Sequence, residues 1–597
     1  MTIVLRRRLL RERVKLYVLG ALVGAAAGFT AVGFRYLILY PSYLFSIIPG
    51  AIGTIGWILA PIIGGLLVAM ITVRFAPEAK GHGVPEVMAA YSLQAGKMRM
   101  RVPLVKSIAS ALCISSGGSC GREGPIAQIG SGIGSAIATQ LRLGKKERKT
   151  LLVCGLSSGI AATFNAPFGG TLFGIEIIAG GIVGFSIIPV ILASVVATAV
   201  TYTLIGPHVS FMAPTFSFQN PIELVFYLLL GLLFGVGSVV WNRGFYYIED
   251  IFDRLNVSRY IVPAIGGLLV GLIALLTLYL EQIFGYSGVF GPEEPYFPAI
   301  MGVGYPFIDA TLLANVGLVV LVVFGLLKAL ATALTLGSGG SGGVFAPTLF
   351  LGAGFGGALG LTFSTFFPDI VQQPMAFALV GMAAFLAGSG KAPVTSIMIV
   401  MEMTFDYQLI LPLMAAVSAS FLVSSLLDDA SIYTMKLSRR GVYLRQGIHV
   451  DAMKIIEVRE VMTRQPTILR PDMDTQEVLA VIDETHHTKY PVVDYDGRVV
   501  GTLIAEDLFH DTEPGVERVV RILMDTDYLR IPPSCTIDSA LHAMMERDEG
   551  HAVVADPSEP GKMMGFLTKA DVLKAYEIAI ERLQQMGMDI ADIELPE

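Results

Sequence analysis

Charge is what this 597-residue chain has least of: Asp, Glu, Lys and Arg make up 15 % of it, against about 25 % in a soluble globular protein. With that length, the scarcity excludes one ordinary soluble domain. Cysteine is scarce too. Cys113, Cys120, Cys154 and Cys535 stand without paired spacing, so no disulfide framework is legible and no chemistry is assigned to them. Of eight histidines only His82 and His208 precede residue 446, and His-Glu-x-x-His is missing, which argues against a membrane zinc protease and any metal site. No nucleophile paired with a base is visible, so an enzyme is not expected.

What is present is apolar: 53 % hydrophobic residues, with 65 glycines and 31 prolines. The charge that exists is unevenly divided. Residues 446–597 hold 30 acidic and 14 basic side chains, whereas the first 445 hold 19 and 28. A basic, apolar part (1–445) is thus joined to an acidic, polar one (446–597), whose sign argues against nucleic acid as a partner.

Runs long enough to cross a hydrocarbon core lie near Leu16–Tyr40, Ala51–Val73, Ile182–Ile205, Ile222–Val240, Ile261–Leu280, Leu313–Thr335 and Leu409–Leu427. Runs around Ile108, Leu152, Phe168, Phe350 and Met382 are cut by Gly, Pro or Ser after about a dozen residues, predicting helices that enter partway and break where backbone faces protein or a wet cavity. Arg6, Arg7, Arg8, Arg11, Arg13 and Lys15 precede the first run as they would a secretory signal, but the repeated later spans favour a first membrane helix with a cytoplasmic basic flank. Arg439, Arg440 and Arg445 hold the other end on the same side, so both termini are expected in the cytoplasm. A bacterial-type inner (plasma) membrane, with lipid as the surrounding partner, is the expected location.

Three Gly-to-Pro segments carry the functional argument: Gly81-His82-Gly83-Val84-Pro85, Gly121-Arg122-Glu123-Gly124-Pro125 and Gly343-Val344-Phe345-Ala346-Pro347. Spacing alone is weak, since this composition gives about three Gly-x-x-x-Pro matches by chance. Context is stronger. Ser115-Ser116-Gly117-Gly118-Ser119-Cys120 precedes the second segment and Gly337-Ser338-Gly339-Gly340-Ser341-Gly342 the third, one in each half of the apolar part. A helix beginning inside a bilayer leaves its first N–H groups unpaired and carries about half a positive charge there, and an anion satisfies both. Broken helices at corresponding places in two halves point to a midplane site, and partial charges bind an anion without trapping it. No fixed Lys or Arg is required on this reading.

With Phe164-Asn165-Ala166-Pro167, Leu172-Phe173-Gly174-Ile175-Glu176, Glu402-Met403-Thr404 and Tyr433, these segments resemble the CLC family of chloride channels and proton-coupled chloride exchangers, from about Arg11 through Leu437. The resemblance implies an all-α polytopic membrane protein with inverted repeats and broken helices, and a homodimer of two anion pathways carrying chloride or similar small inorganic anions. It makes Glu123 the gating glutamate, whose carboxylate competes with the anion, and makes Phe345 and Tyr433 inner coordination positions. His82 stands where chloride-selective members commonly have serine and nitrate-preferring ones proline, leaving the favoured anion open. Ile177 stands where many exchangers have a proton-relaying glutamate, and isoleucine relays no proton. The expectation is therefore a channel, with a proton-coupled exchanger as the alternative and a non-conducting nucleotide-sensing receptor behind both. Glu176 and Glu402 are read as structural carboxylates, buried and hydrogen-bonded.

The tail reads as a tandem repeat, about 460–511 and 519–577. Val461-Met462 and Leu523-Met524 open the units; Pro491-Val492-Val493 and Ala552-Val553-Val554 are strand-like; Gly501-Thr502-Leu503-Ile504 and Gly565-Phe566-Leu567-Thr568 precede Asp507 and Asp571. This resembles an α/β tandem of CBS (cystathionine-beta-synthase) domains, which often bind adenine nucleotides. The resemblance places Gly565, Thr568 and Asp571 at one site for ATP, ADP or AMP; Ile504 lacks the hydroxyl a second site needs. No cofactor is required for conduction, and a purely structural CBS pair remains the other reading.

Overall fold

The computed structural model describes residues 3–180, 187–206, 210–218, 220–286, 288–289, 295–439, 442, 444–445, 449–450, 452–510, 519–559 and 561–585. His208 lies outside them. The chain divides into two compact units near residues 440–449.

The first unit is helical: α1 (Ile3–Ile52), α2 (Gly56–Phe75), α3 (Val84–Leu93), α4 (Arg101–Ser115), α5 (Glu123–Gln140), α6 (Lys145–Phe164), α7 (Pro167–Phe173), α8 (Ile187–Ile205), α9 (Glu223–Asp253), α10 (Val262–Phe284), α11 (Tyr305–Leu312), α12 (Leu318–Gly337), α13 (Phe345–Phe366), α14 (Ala376–Gly390), α15 (Pro393–Thr404), α16 (Ile410–Leu427) and α17 (Met435–Ser438). Among the described residues, seven helical stretches are long and apolar enough to cross a membrane. The first of these, Val14–Phe75, comprises α1 and α2, divided by a 3-10 turn at Gly53–Ile55 where Gly53 takes φ +70°, so the two expected runs are two helices.

The expected breaks near Leu152 and Phe350 do not occur. α6 and α13 run unbroken for 20 and 22 residues, because their glycines interlock helices instead of interrupting them. A Cβ on Gly130 of α5 would lie 2.1 Å from the Gly155 carbonyl of α6, and one on Gly155 would lie 1.9 Å from that of Gly130. The second half repeats the device, with Gly352 of α13 against the Gly381 carbonyl of α14 at 2.5 Å and Gly381 against Gly352 at 2.4 Å. Without a hydrophobic force between helices in lipid, such close backbone approach is what holds them.

The halves are tied reciprocally. Glu402, near the end of α15, accepts from the backbone N–H groups of Phe168 and Gly169 at the start of α7, at 3.0 and 2.6 Å. Glu176, just after α7, accepts from those of Val394 and Thr395 at the start of α15, at 3.2 and 2.7 Å, and from the Thr395 hydroxyl at 2.5 Å. Each carboxylate thus satisfies the first N–H groups of the other half's helix, where negative charge is also favoured by the dipole.

The second unit contains β1 (Leu444–Arg445), β2 (His449–Val450), β3 (Lys489–Val493), β4 (Val499–Ile504), β5 (Arg530–Ile531), β6 (His551–Ala555) and β7 (Met563–Thr568). β3 and β4 are antiparallel; β6 joins parallel β5 to antiparallel β7. Thr463, just after Met462, pairs with Phe566, while Asp525, just after Met524, pairs with Thr502. Each repeat's opening segment therefore docks on the other's strand, at Gly565 and Gly501, where a Cβ would approach Met462 Sδ at 2.8 Å and the Asp525 carbonyl at 2.7 Å.

Candidate anion pathway

The three glycine segments meet. The N–H of Gly121 donates to the Gly343 carbonyl at 2.7 Å and the N–H of Gly343 returns the bond at 2.6 Å. The N–H of Gly81 donates to the Gly340 carbonyl at 2.9 Å, and that of Gly342 to Gly81 at 3.2 Å. A Cβ on Gly124 would lie 2.1 Å from the His82 carbonyl and 3.0 Å from Gly343 Cα. Gly83, with φ +84°, turns its loop into α3, and a side chain there would crowd the Gly124 carbonyl at 2.9 Å. Three helix starts, Val84-Pro85, Glu123-Gly124-Pro125 and Phe345-Ala346-Pro347, are thereby brought to one buried junction beside Val344. Each contributes about half a positive charge without any cationic side chain.

The Glu123 carboxylate lies at this junction, 1 % exposed. Its Oε1 accepts from the Tyr305 hydroxyl at 2.6 Å. Oε2 is buried and makes no hydrogen bond among the described residues; it lies against Gly121, whose added Cβ would be 2.1 Å from it and 3.2 Å from the Ala346 nitrogen. Arg122 is not part of the junction's interior: its guanidinium stands 5.4 Å over the Tyr305 ring.

On another side the aromatic residues form a chain. Phe345 packs on Phe164 and Phe173 at ring separations of 5.1 and 6.1 Å, and Phe173 packs on Tyr433 at 6.1 Å. The Tyr433 segment is fixed by the Ile432 N–H donating to the Ser389 carbonyl at 2.8 Å. His82 places its ring 6.1 Å from Tyr433, while its Nε2 lies 3.0 Å from the Tyr246 hydroxyl. That hydroxyl donates its proton to the Ile432 carbonyl at 2.7 Å, so Nε2 carries hydrogen and donates to Tyr246. The side chain is engaged with α9, leaving backbone at the junction. Ile177, 7 % exposed, follows α7 beside Glu176.

Two cations escaped the sequence reading. Lys106 and Lys328 are 0 % exposed. Lys106 Nζ donates to the carbonyls of Ala79 and Gly81 at 3.0 and 2.6 Å; Lys328 Nζ donates to those of Ile300 and Gly302 at 3.1 and 2.8 Å. Fixed lysines are thus used, as ties for the loops. The signal was available: Lys106–Pro125 and Lys328–Pro347 align residue for residue as Lys-x-x-Ala-x-Ala-Leu-x-x-x-Ser-Gly-Gly-Ser-x-Gly-x-x-x-Pro. Contacts obey the same correspondence. The hydroxyls of Ser110 and Ser341 lie 2.8 Å apart, and their counterparts Thr332 and Ser119 3.0 Å apart.

In the tail, Asp571 Oδ2 accepts from the Thr568 N–H at 2.9 Å and hydroxyl at 2.8 Å, while Gly565 is taken up by contact with Met462 and Thr463. Nearby, burial first and the ammonium groups of Lys489 and Lys569 second hold the His551 imidazole below its ordinary pKa.

A model of the voltage-gated chloride channel family matches residues 64–425, and the CBS domain model matches 458–511 and 516–578. The H(+)/Cl(−) exchange transporter ClcA of Vibrio parahaemolyticus is 32 % identical over 437 residues, covering 71 % of this chain and 89 % of that protein. Chloride channel protein CLC-f of Arabidopsis thaliana is 28 % identical over 545 residues, 86 % of this chain and 62 % of that one. Among solved structures, a slow cyanobacterial Cl−/H+ antiporter aligns with TM-score 0.62 at 25 % identity, covering 71 % of this chain and 97 % of its own. A eukaryotic CLC transporter aligns over 94 % of this chain and 98 % of its own, with TM-score 0.59 at 21 % identity, a likeness of fold.

Replacing either buried lysine should release the loop it ties. Lys106→Met or Lys328→Met leaves two carbonyls unpaired, each costing roughly 1–3 kcal/mol, so chloride flux in liposomes should fall at least about tenfold and Tm should drop by several degrees. Wild-type flux and Tm in both variants would contradict the tie.

Proposed function

Because the chain belongs to the voltage-gated chloride channel family, we propose that it moves chloride across a cell membrane in exchange for protons, as a homodimer with one pathway per subunit. Anion transport follows from the family. The observation that carries the exchange reading is the Glu123 carboxylate, buried among three helix starts where an anion would bind and held by one neutral donor. Ionised, it fills the site; protonated, it gives up its charge and its claim to the helix ends, so anion and proton occupy the site on linked terms.

Exchange is better supported than passive flow, the expectation drawn from Ile177. The relatives at 32–34 % identity are named exchangers, and Ile177 removes a carboxylate at one position without touching Glu123. Glu176 cannot stand in for it as a free relay, since its carboxylate is committed to the start of α15. At the Tyr433 end the His82 imidazole lies 6.1 Å from Tyr433 and is bound to Tyr246 of α9. Taking that end as cytoplasmic, next to Arg439, protons reach Glu123 from a side without a glutamate at 177.

Proteoliposomes under an imposed chloride gradient test this. Wild type should drive protons uphill, and Glu123→Gln should abolish proton movement while chloride still flows. Chloride efflux with no proton movement in wild type would restore the channel.

The tail is proposed to bind an adenine nucleotide in its second unit, with Asp571 on the ribose hydroxyls and Thr568 toward phosphate. The support is local: Asp571 spends Oδ2 on Thr568, which orients both side chains together. Asp571→Ala in the full-length protein should weaken AMP or ATP binding about tenfold, the loss of a charged hydrogen bond; unchanged affinity would remove Asp571 from the site.

A further inference from the structure

The junction has a fourth helix start. Gly302-Val303-Gly304-Tyr305-Pro306 opens α11 with the spacing of Gly81-His82-Gly83-Val84-Pro85. The backbones match as well, Gly302 and Gly304 having φ +55° and +89° where Gly81 and Gly83 have +77° and +84°. Lys328 ties this loop as Lys106 ties the other, and the Cys120 N–H donates to the Gly302 carbonyl at 3.2 Å, as that of Gly342 does to Gly81. Where the first repeat presents Val84, the second presents Tyr305, the residue whose hydroxyl reaches Glu123 at 2.6 Å.

Tyr305 is also held from behind. Phe211 meets its ring edge-on at 5.1 Å, and the Arg122 guanidinium lies 5.4 Å above it. A cavity of about 470 Å³ opens at this point, lined by Arg122, Tyr305, Arg35 and Met301 among others, while Glu123 does not reach its surface. The tyrosine thus stands between the gating carboxylate and this cavity.

We propose that Tyr305 is a latch on Glu123, a positioning residue that holds the carboxylate ionised in the anion site and sets the pH at which the site is released. A hydroxyl donating to a carboxylate stabilises the charged form, and such bonds are about twice as strong as neutral ones. Protonating Glu123, or swinging it out to admit chloride, weakens or breaks this bond. The other charged or polar groups acting on Glu123 are Arg122 beside it, Lys328 on α12, Tyr433 before α17 and the Ala346 N–H at the start of α13. Tyr305→Phe leaves all of them in place and keeps the ring that Phe211 and Arg122 grip.

The inference rests on Glu123 as the competing carboxylate, and the test separates the two. Chloride flux from liposomes is recorded against pH for wild type, Tyr305→Phe, Glu123→Gln and the double variant. Tyr305→Phe should raise the pH of half-maximal flux by about half to one unit, a roughly three- to tenfold easier protonation. It should also lower the half-saturating chloride concentration about threefold near neutral pH, because the competitor is held less firmly. In the Glu123→Gln background it should do neither. If Glu123→Gln flattens the pH profile while Tyr305→Phe leaves midpoint and half-saturation at wild-type values, the latch is wrong and the gate stands. If Tyr305→Phe shifts the double variant equally, its effect does not pass through Glu123 and the latch is overturned. If Glu123→Gln leaves the profile unchanged, the gate itself fails and the latch with it.

Discussion

The molecule turns on a contact between two glycines. Gly121 and Gly343 exchange backbone hydrogen bonds at 2.7 and 2.6 Å, and no side chain fits there, since a Cβ on Gly343 would stand 2.8 Å from the Gly124 nitrogen. That contact brings the starts of α5 and α13 together from opposite halves of the chain and aims both positive ends at one place. The interlocked glycines of α5 with α6 and α13 with α14 hold the helices at the required separation. Lys106 and Lys328 fix the loops, and Glu176 and Glu402 tie the halves farther out. A bilayer would make the free N–H groups at such broken helices costly; here they are gathered where an anion or the Glu123 carboxylate can satisfy them.

Around this junction the scaffold is nearly symmetric and the chemistry is not. Equivalent places hold Glu123 and Phe345, Arg122 and Val344, Tyr305 and Val84. One end of the passage therefore has a carboxylate, a phenol that binds it and a guanidinium above the phenol. The other has Phe345, Tyr433 and an imidazole bound to Tyr246. An anion meets helix dipoles throughout, but meets an ionisable competitor only at Glu123. The proposed proton coupling rests on that difference, since repeated backbone alone would treat both ends alike.

Much of this was legible in the sequence because it depends on residues that act locally. Proline and glycine announced the starts at Val84, Glu123 and Phe345, and apolar length announced the spans. Glycine misled where it serves helix packing: Gly155 and Gly352 look like breakers and are contacts, so α6 and α13 were expected to be shorter. The buried lysines were passed over because charge scarcity drew attention to backbone dipoles. The start at Tyr305 was missed because its loop lacks the Ser-Gly-Gly-Ser context of the second and third segments and its likeness to Gly81–Pro85 was passed over. Aligning the halves on Lys106 and Lys328 would have exposed both. The bond from Tyr305 to Glu123 spans 182 positions and belongs to the fold; no local pattern carries it. His82 was open between coordinating an anion and turning aside, and its contact with Tyr246 across α9 is likewise long-range.

The central claim is that one buried site is contested by chloride and the Glu123 carboxylate. The direct measurement is equilibrium chloride binding to the purified protein across a range of pH, by calorimetry, for wild type and Glu123→Gln. The account predicts that wild-type affinity rises as pH falls, by about tenfold per unit on the alkaline side where each bound chloride must bring one proton, and that Glu123→Gln binds with affinity independent of pH. Wild-type affinity that does not change with pH would contradict the competition on which the account rests.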